Sequence, residues 1–308
     1  MNSSKKQSGF TLVELMITGA LGIVVSFFVI SIMNNSTRTA SLSEGTAQAE
    51  ENGRFALAWL GEQLRTKPGY APPGNPDVQP FMATPSAACL GDADTSCSVE
   101  ESNPAAAPSD RLAIRRVFND DINNQNYTTN CAGDDLAGLG VNNDNVIVDV
   151  FWVEIDTDDF ANPDNDNDGN DDYDYSDVLR CQTFTENGNA IGNATTLVNG
   201  IEGMQVLYGF ARDFDDPNTL IVNEERIRYL NADEVNNEFP GGRGWQQVIS
   251  VKVAILARSF SENVLEQATR SYILLDANPY TFVDTRVARA IQSSTFYIPS
   301  STTRLVIE

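Results

Sequence analysis

Three groups of residues in this 308-residue chain could do chemistry, and none of them is a catalytic set. The first is Glu14, a lone carboxylate inside the apolar run 10–33. An ionised acid in hydrocarbon is costly unless paired, so Glu14 either snorkels to the interface or makes a functional contact. The second is the segment 156–177, with ten Asp and no Lys or Arg. Within it Asp164, Asp166, Asp168, Asn170 and Asp172 hold positions 1, 3, 5, 7 and 9 of an EF-hand-type calcium loop, with Gly169 at the turn. Position 12 is Tyr175 instead of a bidentate Glu, so Asp174, Asp177 or a distant acid would have to complete the ligand set. A solvated acidic loop is the plainer reading. The third group is Cys89, Cys97, Cys131 and Cys181, which allow three pairings. Cys89–Cys97 with Cys131–Cys181 is the favoured one: the first closes a short loop and the second ties an insertion to a strand.

Composition removes several alternatives. The chain has no histidine, so imidazole acid–base chemistry, a Ser-His-Asp triad and a His-ligated zinc site are impossible. With 43 acidic against 20 basic residues the formal charge is -23, and no direct nucleic-acid binding is expected. The sequence contains no GxSxG, no GxxxxGK[ST] and no GxGxxG, and Lys67 and Lys252 have no visible partner, so an enzyme is not expected. A hydrophobic content of 41% still suffices for a folded core.

The elements that would position these groups begin at the N-terminus. Residues 1–9 are polar and carry Lys5 and Lys6. The 24 apolar residues that follow would span roughly 36 Å as a helix, enough to cross a bilayer with the lysines on the cytoplasmic side. The stretch Lys5-Lys6-Gln7-Ser8-Gly9-Phe10-Thr11-Leu12-Val13-Glu14 resembles the prepilin signal of type IV pilins and type II secretion pseudopilins. The resemblance implies cleavage by a prepilin peptidase between Gly9 and Phe10, N-methylation of Phe10, and retention of the apolar helix. The new Phe10 amine would lie one turn from Glu14, and in an assembling bundle Glu14 of one subunit could pair with the amine of a neighbour.

After Met33 the chain turns polar without a strong breaker. Leu42, Ala49, Ala56, Leu60 and Leu64 recur at helical spacing, and Lys67-Pro68-Gly69 is a stop. One helix over 10–66 would be roughly 85 Å long, its second half burying Phe55, Leu57, Trp59, Leu60 and Leu64 against a head. Gly45, Gly53 and Gly61 would weaken it. In the head, residues 67–109 read as irregular chain. Strands are expected at 111–118, 146–155, 178–185, 203–210, 248–256 and 271–275, the last returning antiparallel to the strand before it. Residues 285–298 fit a helix or a strand.

The fold class is therefore α+β: a long N-terminal membrane and stalk helix packed on an antiparallel sheet head with long polar insertions. The segments Leu197–Gly209 and Trp245–Ser259 resemble the head strands of PilW-type minor pilins. Three regions follow: a leader at 1–9, a transmembrane and stalk helix at 10–66, and a periplasmic or extracellular head at 67–308 with the acidic insertion 156–177. The resemblance implies an inner-membrane protein, single-pass with a periplasmic head, that passes into a type IV pilus at or near its tip. It implies as partners other minor pilins, the major pilin, the inner-membrane assembly platform and a tip adhesin. A type II secretion pseudopilin and a calcium-dependent adhesive module are the alternatives. The calcium loop has a direct check: titrating calcium into the full chain in detergent is expected to give heat and a raised melting temperature, and neither would appear for a merely solvated loop.

Overall fold

A computed structural model describes residues 11–71, 78–81, 98, 100, 109–120, 125–154, 177–210, 227–238, 243–260 and 267–298. The chain divides into two compact units, 1–44 and 45–308. Helix α1, Leu12–Thr66, runs through the boundary. The strands are β1 (Leu112–Val117), β2 (Val146–Glu154), β3 (Val178–Thr185), β4 (Ala190–Asn199), β5 (Ile201–Phe210), β6 (Arg228–Leu230), β7 (Val248–Arg258), β8 (Ala268–Tyr272), β9 (Tyr280–Thr285) and β10 (Arg289–Tyr297). Two short helices, α2 (Gln125–Thr128) and α3 (Ala232–Glu238), and a 3-10 turn (Arg243–Gln247) lie between them.

In the first unit, α1 starts at Thr11, whose carbonyl accepts from Leu15 N–H and whose hydroxyl accepts from Glu14 N–H. Such a cap satisfies donors that a helix start otherwise leaves open. The apolar side chains from Leu12 to Met33 are exposed. Hydroxyls in this stretch bond back to the helix itself, Thr18 to Glu14 C=O and Ser26 to Gly22 C=O. That arrangement hides polar groups from an apolar solvent.

In the second unit, β1-β2-β3-β4 form one antiparallel sheet and β10-β7-β5-β6 another, with β8-β9 a separate ribbon. The β3–β4 turn uses Gly188 at φ +83°, with Gly188 N–H donating to Thr185 C=O. A positive φ at this point suits glycine in a tight hairpin. One core joins Ala56, Leu57, Leu60 and Leu64 of α1 to Leu112, Phe151 and Leu179 of the first sheet and to Met204, Val253 and Phe296 of the second. The α+β layout read from sequence is thus the observed one.

Four details differ from the sequence reading, and one stretch it left open between helix and strand, 285–298, is decided. β8 pairs with β9, not with β7, because β7 is already flanked by β5 and β10. Residues 289–297 are a strand, and β4 adds a ten-residue strand that the polar sequence after Gly188 concealed. Phe55 is 55% exposed, pointing away from the face that carries Ala49, Ala56 and Leu60, and Trp59 is half-buried. Gly45, Gly53 and Gly61 lie buried on the docked part of α1. A Cβ at Gly53 would come 2.9 Å from Gln292 Cγ, and one at Gly61 would enter the Phe296 ring. Those glycines set the distance between helix and β10, so what they lose in helix propensity is offset by close packing. Gly61→Ala is expected to destabilise the head by about 1–3 kcal/mol through overpacking, and Phe296→Leu should relieve most of that. Denaturant midpoints of the single and double variants measure it; an unchanged midpoint for Gly61→Ala would show the contact is slack.

Candidate assembly helix and buried clamp

The residues expected to act in assembly lie on the first unit. By length and composition its helix is long and apolar enough to cross a bilayer. Glu14 sits in the first turn, and among the described residues its carboxylate has no partner. Gly9 and Phe10 lie outside the described residues, as do Cys89, Cys97 and the loop carrying Asp164, Asp166, Asp168, Asn170 and Asp172. Among the described residues no group of three or more acidic, cysteine or histidine side chains could hold a metal ion.

Cys131 and Cys181 are bonded to each other, 50 residues apart in sequence. Around this bond the second unit holds a charged cluster that the sequence reading missed. Asp149, midway along β2, is fully buried. Arg116 Nε donates to its Oδ2 at 3.0 Å, and Thr183, its register partner on β3, donates to Oδ1 at 2.6 Å. Lys67, the first residue after α1, places Nζ 3.5 Å from the same Oδ2 and is 3% exposed. The Arg116 guanidinium also donates to the carbonyls of Tyr127 and Thr129, and Cys131 N–H donates to Thr183 Oγ1. One carboxylate therefore ties together the end of the helix, three strands and the disulfide-linked insertion. A signal for it was present: Asp in VIVDVFWV and two Arg in LAIRRV are charges inside apolar strands, which must find partners.

The energetics follow from the charge count. Burial alone would raise the Asp149 carboxyl, but the Arg116 and Lys67 charges and the bonds from Thr183 and Arg116 hold it below the usual range. Lys67 moves the other way: burial, aided by the Arg116 charge, lowers it to about 8 despite Asp149. Two buried cations face one buried anion, and the exposed Glu62 on α1 adds only the smallest of the pulls on Lys67. The arrangement does not favour condensation of Lys67 with Asp149, because a carboxylate kept ionised is a poor electrophile for an amine.

A second buried pair closes the other sheet. Arg289 of β10 donates to both oxygens of Glu202 at 2.5 and 2.8 Å, and its guanidinium lies 3.6 Å from the Phe282 ring centroid. Arg258 approaches the same carboxylate at 3.9 Å. These contacts hold β5, β7, β9 and β10 at one end of the sheet.

Asp149→Asn removes the buried anion of the first cluster and is expected to cost about 3–5 kcal/mol, whereas Lys67→Met should be neutral or stabilising at pH 7. Sign follows linkage: between pH 8 and the ordinary lysine value the unfolded chain binds the proton that folded Lys67 has released, so stability from this group rises with pH there. Denaturant unfolding of the three proteins from pH 7 to 10 checks this; a slope that persists in Lys67→Met would assign it to another group.

Residues 165–300 match the family model of Type IV Pilus-assembly protein W, PilW. No curated protein matches the chain. Among solved structures, a type IV-like pilin from Thermus thermophilus aligns over 82% of this chain and 96% of its own, at 12% identity and a TM-score of 0.39. The layout of one long helix against antiparallel sheets rests on the chain's own strands and contacts. Over residues 165–300 the chain is thus similar to the PilW family, and its own elements supply the long helix and antiparallel sheets.

Proposed function

We propose that the chain is a minor pilin that takes part in assembling a type IV pilus, at or near the filament tip. The observation that carries the reading is the combination of a PilW match over residues 165–300 with an N-terminal helix whose apolar side chains from Leu12 to Met33 lie exposed. Such a surface needs a bilayer, or other helices, to cover it.

In this reading the helix holds the chain in the inner membrane with the head in the periplasm, and a prepilin peptidase cuts between Gly9 and Phe10. The Phe10 amine is then methylated and keeps its positive charge. Glu14, lacking a partner among the described residues, pairs with the terminal amine of an adjoining subunit and so favours one axial register. The head presents its surface to other minor pilins, to the major pilin and to the assembly platform. The PilW match favours a pilus over a type II secretion system. Calcium at the 164–172 loop belongs to the same proposal and rests on the loop spacing alone.

Mass spectrometry of the mature N-terminus in cells, combined with Glu14→Leu, tests the reading. Methylated Phe10 is the expected start, and Glu14→Leu is expected to insert normally but to reach sheared pili several-fold less. A mature chain that still begins at Met1, or unchanged incorporation of the variant, would remove the mechanism.

A further inference from the structure

We infer that the outer edge of β10 is a docking edge that accepts an antiparallel strand from a second pilin-type head standing in the same orientation. The inference rests on the assembly reading above and deepens it by locating a head-to-head contact.

The backbone register identifies the open groups. At one end of the β7–β10 ladder Ala288 C=O accepts from Ser259 N–H, and at the other Ile298 N–H donates to Ile249 C=O. The strands pair without a shift between these ends. In an antiparallel ladder alternate residues face the partner strand, so 290, 292, 294 and 296 bond to β7. The N–H and C=O groups of Ile291, Ser293, Thr295 and Tyr297 consequently point away from β7, and among the described residues no strand pairs with them.

The side chains leave this edge accessible. Ile291 is 42% and Tyr297 62% exposed, and Ser293 and Thr295 are exposed as well. Gln292 and Ser294 on the opposite face remain half-exposed although α1 packs on that side. From residue 290 to 298 there is no charge, no proline and no glycine, in a chain of net charge -23. Exposed edges are ordinarily protected by lysines, prolines, bulges or a covering segment. β1 shows that protection: Val117 N–H donates to Tyr70 C=O and Arg115 N–H to Pro80 C=O. β4 is interrupted by two register shifts, and β6 has only three residues. Only β10 combines length, regularity and lack of charge among the described edges.

Strand direction selects the occupant. Gly53 lies over Gln292 and Gly61 over Phe296, so the docked part of α1 runs the same way as β10. Pairing β10 with its own copy about a two-fold axis would reverse one of the two heads, whereas in the assembly reading the heads of one filament stand in the same orientation. The strands of this sheet alternate in direction from β10 to β6. Two heads of this strand order side by side in one orientation therefore present an antiparallel pair of edges, β10 of one and β6, three residues long in this chain, of the other. Main-chain bonds would supply the contact, and Ile291 and Tyr297 the side-chain complementarity.

The test uses the full chain in pilus-forming cells. A photoreactive phenylalanine analogue replaces Ser293 in one strain and Val25, in the apolar helix, in another. The expected result is a Ser293 adduct mapped to an edge strand of another pilin-type head. Ser293→Pro, which removes an outward N–H but no bond to β7, and Thr295→Lys are expected to reduce incorporation into sheared pili roughly fivefold or more, with protease resistance and the Cys131–Cys181 bond intact. Adducts to pilin-type subunits from Val25 but not from Ser293 would overturn the edge contact and leave the assembly reading standing. Normal incorporation of Thr295→Lys would also overturn it. If neither position yields pilin-type adducts, the assembly reading fails and this inference with it.

Discussion

The head depends on how one buried carboxylate is balanced. Asp149 is taken wholly out of water at the centre of β2, and its ionised form survives because Arg116, Lys67 and Thr183 all direct donors or positive charge at it. None of these partners is redundant in position. Lys67 reports where α1 ends, Arg116 where β1 lies, and Thr183 where β3 is registered. A buried ion pair adds little net stability over an apolar replacement, but a wrongly docked element would strand a charge. The cluster thus penalises misassembly of the helix end, the sheet and the 125–141 insertion more than it rewards the correct state. The Cys131–Cys181 bond limits the same insertion covalently, and Cys131 N–H is joined to the cluster through Thr183. Covalent and electrostatic constraints converge on one place.

The second constraint is steric. Helices that pack on a sheet usually interpose side chains of ordinary size, but here Gly53 and Gly61 bring α1 close over β10. Close approach increases dispersion contact between the two elements and fixes which residues of β10 face the helix. Because side chains alternate along a strand, fixing the inward set also fixes the outward set. Ile291, Ser293, Thr295 and Tyr297 are outward for that reason, and the open backbone groups on that strand are theirs as well. The packing of the helix inside one head therefore determines what the head offers to another.

The sequence alone determined what depends on short-range chemistry. A mostly apolar run of 24 residues with an isolated Glu14 defines a membrane-compatible helix whatever the rest does, because hydropathy and helix length are local properties. Strands with strong apolar content, β2, β3, β5 and β7, were legible within a few residues, and the Asn187-Gly188 turn correctly ended β3. The Cys131–Cys181 pairing was the favoured one of three that four cysteines allow, and the bond is present. β4 was not legible, since AIGNATTLVN has few apolar residues and owes its strand state to pairing with β3.

Tertiary structure alone decided the partners. Nothing in the local pattern says that Lys67 meets Asp149 across 82 positions (149 − 67), or that Gly61 marks a close approach instead of a weak helix. Phe55 looked like core and is exposed, because helical phase relative to the sheet is set by which face the small residues open. β8 could have returned to β7, and did not, because β10 occupies that edge. Each of these outcomes turns on which distant surface reaches a group first, and sequence spacing carries no information about that competition. Burial, charge balance and the two-sided geometry of a strand settle it only when the whole chain is folded.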